Sequence, residues 1–423
     1  MRAVALAGCC LALAVLAGCG SEDRSGPQEL NLKIGNLLPM TGSLDSFGRP
    51  SQRAADVAVE EIRKAAAKAG AKHTVTLKSL DYKSEPPTAV RFATALADDG
   101  FTCLTGPFGS GHAARVGAQV STPKQVLQIT PSASAIQLTR VKDRGYLNRV
   151  VPPDTLQVQA LVEHMSRQLH GVKGKTVNIG AIESTYGKRL TKSFEEAWTS
   201  KRGVVAETAT YRADATTLAP QGDQLGRGKP DAWVFFDFTD TYVRIAQELL
   251  QDKKSGWKPS KSFGTDSLAN PRLPNIGPTV SDGLSGVAIS APVKGKAAQA
   301  FDAAFKRMGG VNRQTFDAQE FDAVVLCYLA AVAAGTTEAS AMKDKLPEIT
   351  SAPGRKYTWL ELDQAVRALE NGADIDYEGV SGPIEMNDAG DPRAGVYEVY
   401  RYEQGKLVVS SDRIAIPLRA GGV

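Results

Sequence analysis

Clusters of metal ligands and an excess of one charge are both absent from this sequence. Its 423 residues include four histidines and five cysteines, and no HxxxH or CxxC-type cluster of ligands is present. A metal site built on such a cluster is therefore not expected. Lys and Arg number 50 against 46 Asp and Glu, a formal net charge of +4. So weak a balance argues against nucleic acid as the main partner.

Motifs of common enzyme classes are missing as well. The sequence has no GxSxG elbow, no GxxxxGK[ST] loop and no HExxH segment, so nothing in it points to catalysis. What is present is the composition of a folded globular protein, with 42% hydrophobic, 7% aromatic and 23% charged residues. At roughly 150 residues per domain, the length predicts two or three domains, and a two-domain body is favoured.

The start of the chain carries its longest apolar run. Arg2 precedes a run from Ala3 to Ala17, which leads into Leu16-Ala17-Gly18-Cys19. The run is too short to span a bilayer comfortably and has the form of a secretory signal. Its end resembles a bacterial lipobox, in which Cys19 becomes the lipid-bearing first residue; an ordinary signal peptide with a chance cysteine is the alternative. Residues 1–18 are thus a predicted signal peptide, and residues 19–30 a tether that holds the protein by lipid on the extracytoplasmic face of the membrane.

Only two cysteines remain in the predicted mature body. Cys9 and Cys10 leave with the signal and Cys19 carries lipid, so Cys103 and Cys327 are left. An oxidising compartment permits a disulfide between these two. Cys103 lies in a predicted core strand and Cys327 in a predicted buried helix, however, and two unpaired buried thiols are the expected state.

Apolar periodicity alternates between strand and helix along the body. In the first half, strands are predicted at Asn31–Leu38, Val75–Leu80, Phe101–Leu104 and Gln125–Ile129, and helices at Ala54–Ala69, Thr88–Ala97 and Ala113–Val120. The pattern restarts after Pro152-Pro153, with helices at Leu156–Leu169, Lys188–Lys201 and Tyr242–Leu250 and strands at Thr176–Ile182 and Ala232–Phe236. Then come helices at Ala297–Met308 and Ala318–Ala334 and an antiparallel hairpin of Val396–Tyr402 and Leu407–Val409. Two such series predict an α/β fold with two doubly wound parallel-sheet lobes.

A glycine-rich turn, Gly106-Pro107-Phe108-Gly109-Ser110-Gly111, connects a predicted strand to a predicted helix. Its spacing is GxxGxG rather than the GxGxxG of dinucleotide loops, so neither NAD nor another cofactor is expected. Two interpretations remain: a tight turn with no ligand, or a site where Ser110 and backbone N–H groups bind a small carboxylate. The turn Thr130–Ala135 favours the second, because both turns would open into one crevice at the strand ends. Helix N-caps are the competing interpretation for Ser132 and Ser134.

Further segments continue this pattern in order along the chain. They are Leu32–Gly42 with Phe47-Gly48, Ala54–Ile62, the glycine-rich turn, Ile129–Ser134, Ser184–Gly187, Pro230–Ala232 and Gly379–Ile384. Together they resemble the type I periplasmic-binding-protein family, and within it the leucine/isoleucine/valine-binding proteins of ABC importers. The resemblance implies two lobes joined by a three-crossover hinge, with residues 31–151 and 282–380 in lobe one and residues 152–281 and 381–423 in lobe two.

The resemblance also implies roles for residues at matching positions. Ser110 and the turn Ser132-Ala133-Ser134 occupy the positions that hold the α-carboxylate and α-ammonium groups of an amino acid. Asp266 resembles the acidic position that faces the ammonium from the second lobe; a solvated loop acid is the alternative. The positions that line the cleft and the side-chain pocket are matched by Phe47, Phe108, Tyr186, Phe238 and Phe316. Their aromatic character favours a ligand with an apolar side chain.

Three departures from the family pattern bear on the site. Gly109 stands where the best-known members have a pairing cysteine, so their disulfide in lobe one is not expected. Asp266 is one methylene shorter than a Glu, which shifts the ammonium or admits a larger ligand. The stretch Ala352–Asp376 is longer than expected, and either alters the hinge or decorates the surface.

The resemblance therefore implies a solute-binding protein and not an enzyme. Such a protein closes its hinge on a small amino acid, branched-chain or otherwise apolar, and delivers it to the permease and ATPase subunits of an ABC importer. We expect it to act as a monomer. The alternatives are a protein that binds an amide, urea or an aromatic acid, and a receptor lipoprotein that senses its ligand.

Overall fold

The computed structural model describes residues 29–292, 294–309 and 313–417. The predicted signal peptide, Cys19 and most of the predicted tether lie outside these ranges, so lipid anchoring stays a prediction. Within them, no single helix combines the length and apolar composition that a membrane crossing needs. The helices Asp317–Ala334 and Ala339–Ile349 meet that requirement only as a pair, which is bent by 105°.

The first lobe is built on a parallel sheet, as the alternating pattern predicts. Its strands are β1 (Glu29–Leu38), β2 (Lys72–Asp81), β3 (Cys103–Thr105), β4 (Leu127–Thr130) and β5 (Leu147–Arg149). The helices that connect them are α1 (Asp45–Ala69), α2 (Pro86–Asp98), α3 (Ser110–Val116) and α4 (Thr122–Lys124). The strand order is β2-β1-β3-β4-β5, and every pairing is parallel. The short strands β3, β4 and β5 are entirely buried, as a sheet covered on both faces requires.

The second lobe repeats this arrangement. Its strands are β6 (Thr176–Ile182), β7 (Val204–Tyr211), β8 (Ala232–Phe236), β9 (Ser262–Gly264) and β10 (Ser285–Ile289). Its helices are α5 (Asp154–Gln168), α6 (Thr185–Ser200), α7 (Ala219–Leu225), α8 (Thr239–Gln251), α9 (Leu273–Ile276) and α10 (Pro278–Ser281). All five strands pair in parallel. The bounds predicted for β6 and β8 are confirmed, whereas β7, β9 and β10 were not predicted.

The chain then returns to the first lobe. It forms α11 (Lys296–Arg307), α12 (Asp317–Ala334), α13 (Ala339–Ile349), β11 (Arg355–Thr358), α14 (Leu362–Glu370), β12 (Ile375–Gly379) and β13 (Gly382–Pro383). Helix α12 is apolar on nearly all sides and packs against α1, β1, β3 and β4. The stretch Ala352–Asp376 contributes Tyr357, Trp359 and Ile375 to the same core, so it is an integral part of lobe one rather than a surface decoration.

A hairpin completes the second sheet. Its strands are β14 (Ala394–Glu403) and β15 (Lys406–Pro417), and β14 pairs antiparallel with β10. The full order is β15-β14-β10-β9-β8-β6-β7. The predicted hairpin is therefore confirmed, but the sheet of lobe two is mixed rather than wholly parallel.

The chain passes between the two sheets three times. The first passage lies between β5 and α5. The predicted boundary after residue 281 is wrong, because Ser285–Ile289 still pairs with β9 and β14 of the second sheet. The predicted boundary after residue 380 is also too early, because Gly382–Pro383 pairs with β12 of the first lobe.

Cys103 and Cys327 form a disulfide, and the expectation of two unpaired thiols is wrong. Both residues are fully buried, as predicted. Helix α12 packs directly on β3, however, and this contact brings the two Cα atoms to 6.1 Å, within the range that a disulfide spans. The bond ties the returning segment of lobe one to its first segment.

Candidate functional site

A cavity of about 980 Å³ lies between the two lobes. One wall is the start of α3, with Ser110 and Gly111, and the other is the start of α6, with Thr185 and Tyr186. Phe238, which follows β8, also lines it. The segments that contribute follow the carboxyl ends of parallel strands, where α/β folds generally place their ligands.

The glycine-rich turn brings Ser110 to the cavity. Gly109 precedes α3 with φ of 80°, a left-handed conformation that favours glycine. The turn is fixed from behind by Tyr82, whose hydroxyl donates a hydrogen bond to the carbonyl oxygen of Phe108 over 2.9 Å. The Ser110 hydroxyl accepts a hydrogen bond from the Ala135 N–H at 3.1 Å, so this turn is joined to the next one.

The serine turn, Ser132-Ala133-Ser134, lies beside the glycine-rich turn. The Gly109 N–H donates to the Ser132 hydroxyl over 3.4 Å. Neither serine caps the helical turn Ile136–Arg140 that follows, so the N-cap interpretation is wrong. The Ser134 hydroxyl is buried and has no hydrogen-bond partner among the described residues. A buried polar atom of this kind generally pairs with water or a ligand.

A buried ion pair holds the serine turn in place. Arg149, at the end of β5, donates from Nη1 to the carbonyl oxygens of Ala133 and Ala135, at 3.2 and 3.0 Å. Its Nε lies 2.7 Å from a carboxylate oxygen of Asp391, which belongs to the third passage between the lobes. The side chains of Arg149 and Asp391 are only 2% and 3% exposed. The conformation of the serine turn is thus coupled to the hinge.

Tyr186 and Asp266 form the polar centre of the second lobe. The Tyr186 hydroxyl donates to Asp266 Oδ1 at 3.0 Å and also contacts the hydroxyls of Thr265 and Ser267, at 2.7 and 2.9 Å. Asp266 is 3% exposed, which contradicts the interpretation as a solvated loop acid. Burial raises the pKa of the Asp266 carboxyl to about 6, while the nearby Gln157 amide and the hydrogen bond from Tyr186 oppose the rise.

The predicted aromatic residues fall into two groups. Phe47, Phe108 and Phe316 form a cluster with ring centroids 5.4 to 6.4 Å apart, and they do not line the 980 Å³ cavity. Tyr186 and Phe238 stack at 5.5 Å, and both line it. Phe238 also packs against the core cluster of lobe one that contains the other three rings. It is therefore an apolar bridge between the lobes.

Three further polar residues surround Asp266 and were not predicted. Asp154 and Gln157 lie on the first turn of α5, and Tyr397 lies on β14. Asp154 Oδ2, both amide atoms of Gln157 and the Tyr397 hydroxyl are buried and complete no hydrogen bond with the described residues. Burial raises the pKa of Asp154 to about 6, against the effect of Arg149. The polar pair at i and i+3 on a buried helix face was the available signal in the sequence.

Two α/β lobes joined by three chain passages, with a polar cleft between them, define a two-lobed solute-binding protein. The sequence model of the family described as periplasmic binding protein matches residues 31–404. The chain therefore belongs to the periplasmic binding protein family, as its resemblance implied, and this is a family of solute-binding proteins and not of enzymes.

Similar proteins support this assignment. The Leu/Ile/Val-binding protein homolog 3 of Brucella melitensis is 25% identical over 388 residues, which cover 89% of this chain and 93% of that protein. A second similar protein is the branched-chain amino acid transporter substrate binding protein LivJ of Streptococcus pneumoniae, in complex with isoleucine. Its structure has a TM-score of 0.73 at 23% identity, and the match covers 92% of this chain and 99% of LivJ. An ABC transporter solute binding protein of R. palustris, in complex with benzoate, has a TM-score of 0.72 at 19% identity, with coverage of 93% and 99%. The predicted two-lobed α/β fold is thus confirmed.

Proposed function

We propose that this protein is the extracytoplasmic solute-binding component of an ABC importer and that it binds a small amino acid, aliphatic or otherwise apolar, in the cleft between its lobes. The observation that carries the proposal is the buried Asp266 carboxylate, held by Tyr186 in lobe two. None of the described cations forms an ion pair with this carboxylate, and a buried carboxylate of that kind is suited to an ammonium group.

The opposite end of an amino acid finds its partners in lobe one. Ser110 and Ser134 supply hydroxyls, and the buried Ser134 hydroxyl has no partner among the described residues. A carboxylate accepts hydrogen bonds from hydroxyl and backbone N–H groups, so lobe one suits the acid end of the ligand and lobe two its ammonium end. Tyr186 and Phe238 stack at 5.5 Å and both line the cavity, so they offer an aromatic surface to the side chain of the ligand.

Hinge closure follows from this division of the site. A ligand that first contacts Ser110 and the serine turn gains Tyr186 and Asp266 only when the lobes come together. The fraction of closed protein therefore rises with the difference between the ligand's affinities for the closed and the open arrangement. The predicted lipid on Cys19 would keep the protein, acting as a monomer, beside the permease and ATPase subunits that receive the amino acid.

The fold alone does not select the ligand, since similar folds hold isoleucine in one protein and benzoate in another. Asp266 favours the amino acid. Benzoate has no cationic group, so it would leave the Asp266 carboxylate without a partner in a desolvated cleft, which is unfavourable.

The proposal is tested on the mature chain from residue 20 onward, without its anchor. Thermal unfolding is recorded against a panel of amino acids, amides and small carboxylates. A ligand at about 100 times its dissociation constant adds roughly 2.7 kcal/mol, which moves the midpoint by a few degrees. We expect a shift with leucine, isoleucine, valine or phenylalanine. A protein free of copurified ligand that responds to no amino acid would contradict the proposal.

The Asp266→Ala variant tests the assignment of the ammonium partner. We expect it to remain folded and to bind the responding amino acid at least about tenfold more weakly, because it loses a charged partner in a desolvated cleft. Unchanged affinity would remove Asp266 from the site.

A further inference from the structure

The charged residues that line the interlobe cavity are unequally paired. Six of them lie on its walls: Arg115, Glu183, Lys188, Arg189, Arg212 and Asp214. Lys188 pairs with Glu183 at 3.2 Å, and Arg212 pairs with Asp214 at 2.7 Å. No described carboxylate forms an ion pair with Arg115 or Arg189. The four cations and two carboxylates leave a charge of +2, and it resides on these two arginines.

The two arginines belong to opposite walls. Arg115 lies on α3 of lobe one, five residues after Ser110, and is exposed to the cavity. Arg189 lies on α6 of lobe two, three residues after Tyr186, and is half-buried. Gly111 of α3 and Thr185 of α6 approach closely across the gap between the walls. Both guanidinium groups therefore border the same interlobe cavity, one from each lobe.

Arg189 also lies near polar residues deeper between the lobes. Its guanidinium lies against the side-chain amide of Gln137 of lobe one, whose oxygen accepts in the orientation that satisfies both groups. It is also near enough to Asp154 to lower the pKa of that carboxyl. A ligand bound between Ser110 and Tyr186 thus shares the cavity with this guanidinium group.

The aromatic cluster does not fill this space. Phe47, Phe108 and Phe316 lie outside the cavity lining, and His112, which does line it, is kept neutral because burial lowers its pKa. Its Nε2 donates to the carbonyl oxygen of Ser84 at 2.9 Å. The outer part of the cleft is therefore cationic and rich in donors, unlike a pocket built for a branched apolar side chain.

We infer that the ligand carries a second acidic group at its far end, and that Arg115 and Arg189 hold this group from the two lobes when the cleft closes. A planar guanidinium fork matches a carboxylate through two parallel hydrogen bonds, so a carboxylate is the group that fits best. The inference rests on the proposed function for the amino-acid end of the ligand, but it replaces a wholly apolar side chain by an apolar stem that ends in a carboxylate.

The test compares ligands that differ only at the far end. 2-Aminoadipate has a carboxylate where norleucine has a methyl group, and isothermal titration of the mature chain gives both dissociation constants. We expect 2-aminoadipate to bind about tenfold tighter, as a charged hydrogen bond in a partly desolvated site allows. Arg115→Ala and Arg189→Ala should each reduce this ratio several-fold. Lys188→Ala removes the same charge from the same cavity, but from a residue already paired, and should leave the ratio within about twofold.

The outcomes separate this inference from the proposed function. If norleucine binds but 2-aminoadipate binds no tighter, or if the arginine variants keep the ratio, the inference fails and the amino-acid function stands. If no amino acid binds, the proposed function fails. Adipate against hexanoate then repeats the comparison without an ammonium group. If adipate binds tighter than hexanoate and this preference depends on both arginines, the result supports the inferred carboxylate site. If adipate and hexanoate bind equally, the inference is overturned.

Discussion

The guanidinium of Arg272 in the second lobe lies 3.0 Å from the carboxylate of Asp45 in the first. The same guanidinium lies 2.6 Å from Asp240 of its own lobe. Asp45 begins α1 two residues before Phe47, and Asp240 follows Phe238 by two residues. The ion pair therefore joins the lobes beside Phe238, the apolar bridge between them. It exists only while the lobes are together.

Removing this interlobe ion pair should weaken ligand binding. Asp45→Asn leaves the Arg272–Asp240 pair intact and costs the closed arrangement one partly exposed interaction, so we expect affinity to fall about threefold at low salt. The difference in ligand affinity between this variant and wild type should be smaller at high salt, because screening weakens the ion pair. Asp240→Asn is the matched control, since it removes a contact within one lobe. Equal losses in the two variants would show that Arg272 does not act across the cleft.

The Arg149–Asp391 pair should matter much more, because it is buried. Asp391→Ala leaves the Arg149 guanidinium without its charged partner, and such a change typically costs about 3–5 kcal/mol of unfolding free energy. It also releases the group that holds the carbonyl oxygens of Ala133 and Ala135, so ligand affinity should fall too. Denaturant unfolding and titration measure the two effects. Glu163→Ala, which breaks the exposed pair with Arg167, is the control and should have little effect on either.

The Cys103–Cys327 disulfide should contribute to stability through the length of chain that it closes. The two residues are 224 positions apart, and loops of this size gain about 5 kcal/mol in the chain-entropy description. We expect a Cys103→Ala, Cys327→Ala double variant to unfold at lower denaturant, and reductant to lower the midpoint of wild type only. Two thiols that titrate freely in the unreduced, denatured protein would contradict the bond.

Much of the fold could be predicted because its parallel strands are continuous apolar runs. β6 and β8 are buried along nearly their whole length, and their predicted bounds are those observed. β7 was missed because it is an edge strand whose exposed and buried residues mix without a clear apolar run. The boundary after residue 281 was misplaced because short β10 pairs with a strand more than 100 residues later, which local patterns do not reveal.

The candidate site, like the fold, could be predicted only in part from the sequence. Ser110, Tyr186 and Phe238 follow strands in order, and their position at the cavity could be expected from strand order alone. Gln157 and Tyr397 reach Asp266 from α5 and β14, elements that meet only because the chain passes repeatedly between the lobes. The cysteine pair depends likewise on α12 lying on β3. Contacts between distant segments, rather than element types, are what the sequence leaves open.

Ligand affinity should depend on the ionisation of Asp266. Burial raises the pKa of this carboxyl from its usual 3.8 to about 6, so the folded protein binds more protons than the unfolded chain between these values. The contribution of Asp266 to the free energy of unfolding is therefore greatest below pH 3.8 and is lost as the pH rises through 6. An ammonium group needs the ionised carboxylate, so its binding has the opposite dependence.

We accordingly expect the dissociation constant for an amino acid to rise as the pH is lowered from 7.5 to 5, approaching about tenfold per pH unit below 6. Titrations at several pH values measure this in wild type and in Asp266→Asn, which keeps the shape of the side chain but cannot ionise. The variant should bind more weakly at pH 7.5 and lose most of the slope. Asp154 lies near the same centre and has a pKa also raised to about 6, so Asp154→Asn is measured in parallel. If the pH dependence of affinity survives in Asp266→Asn and disappears in Asp154→Asn, Asp154 and not Asp266 is the partner of the ammonium group.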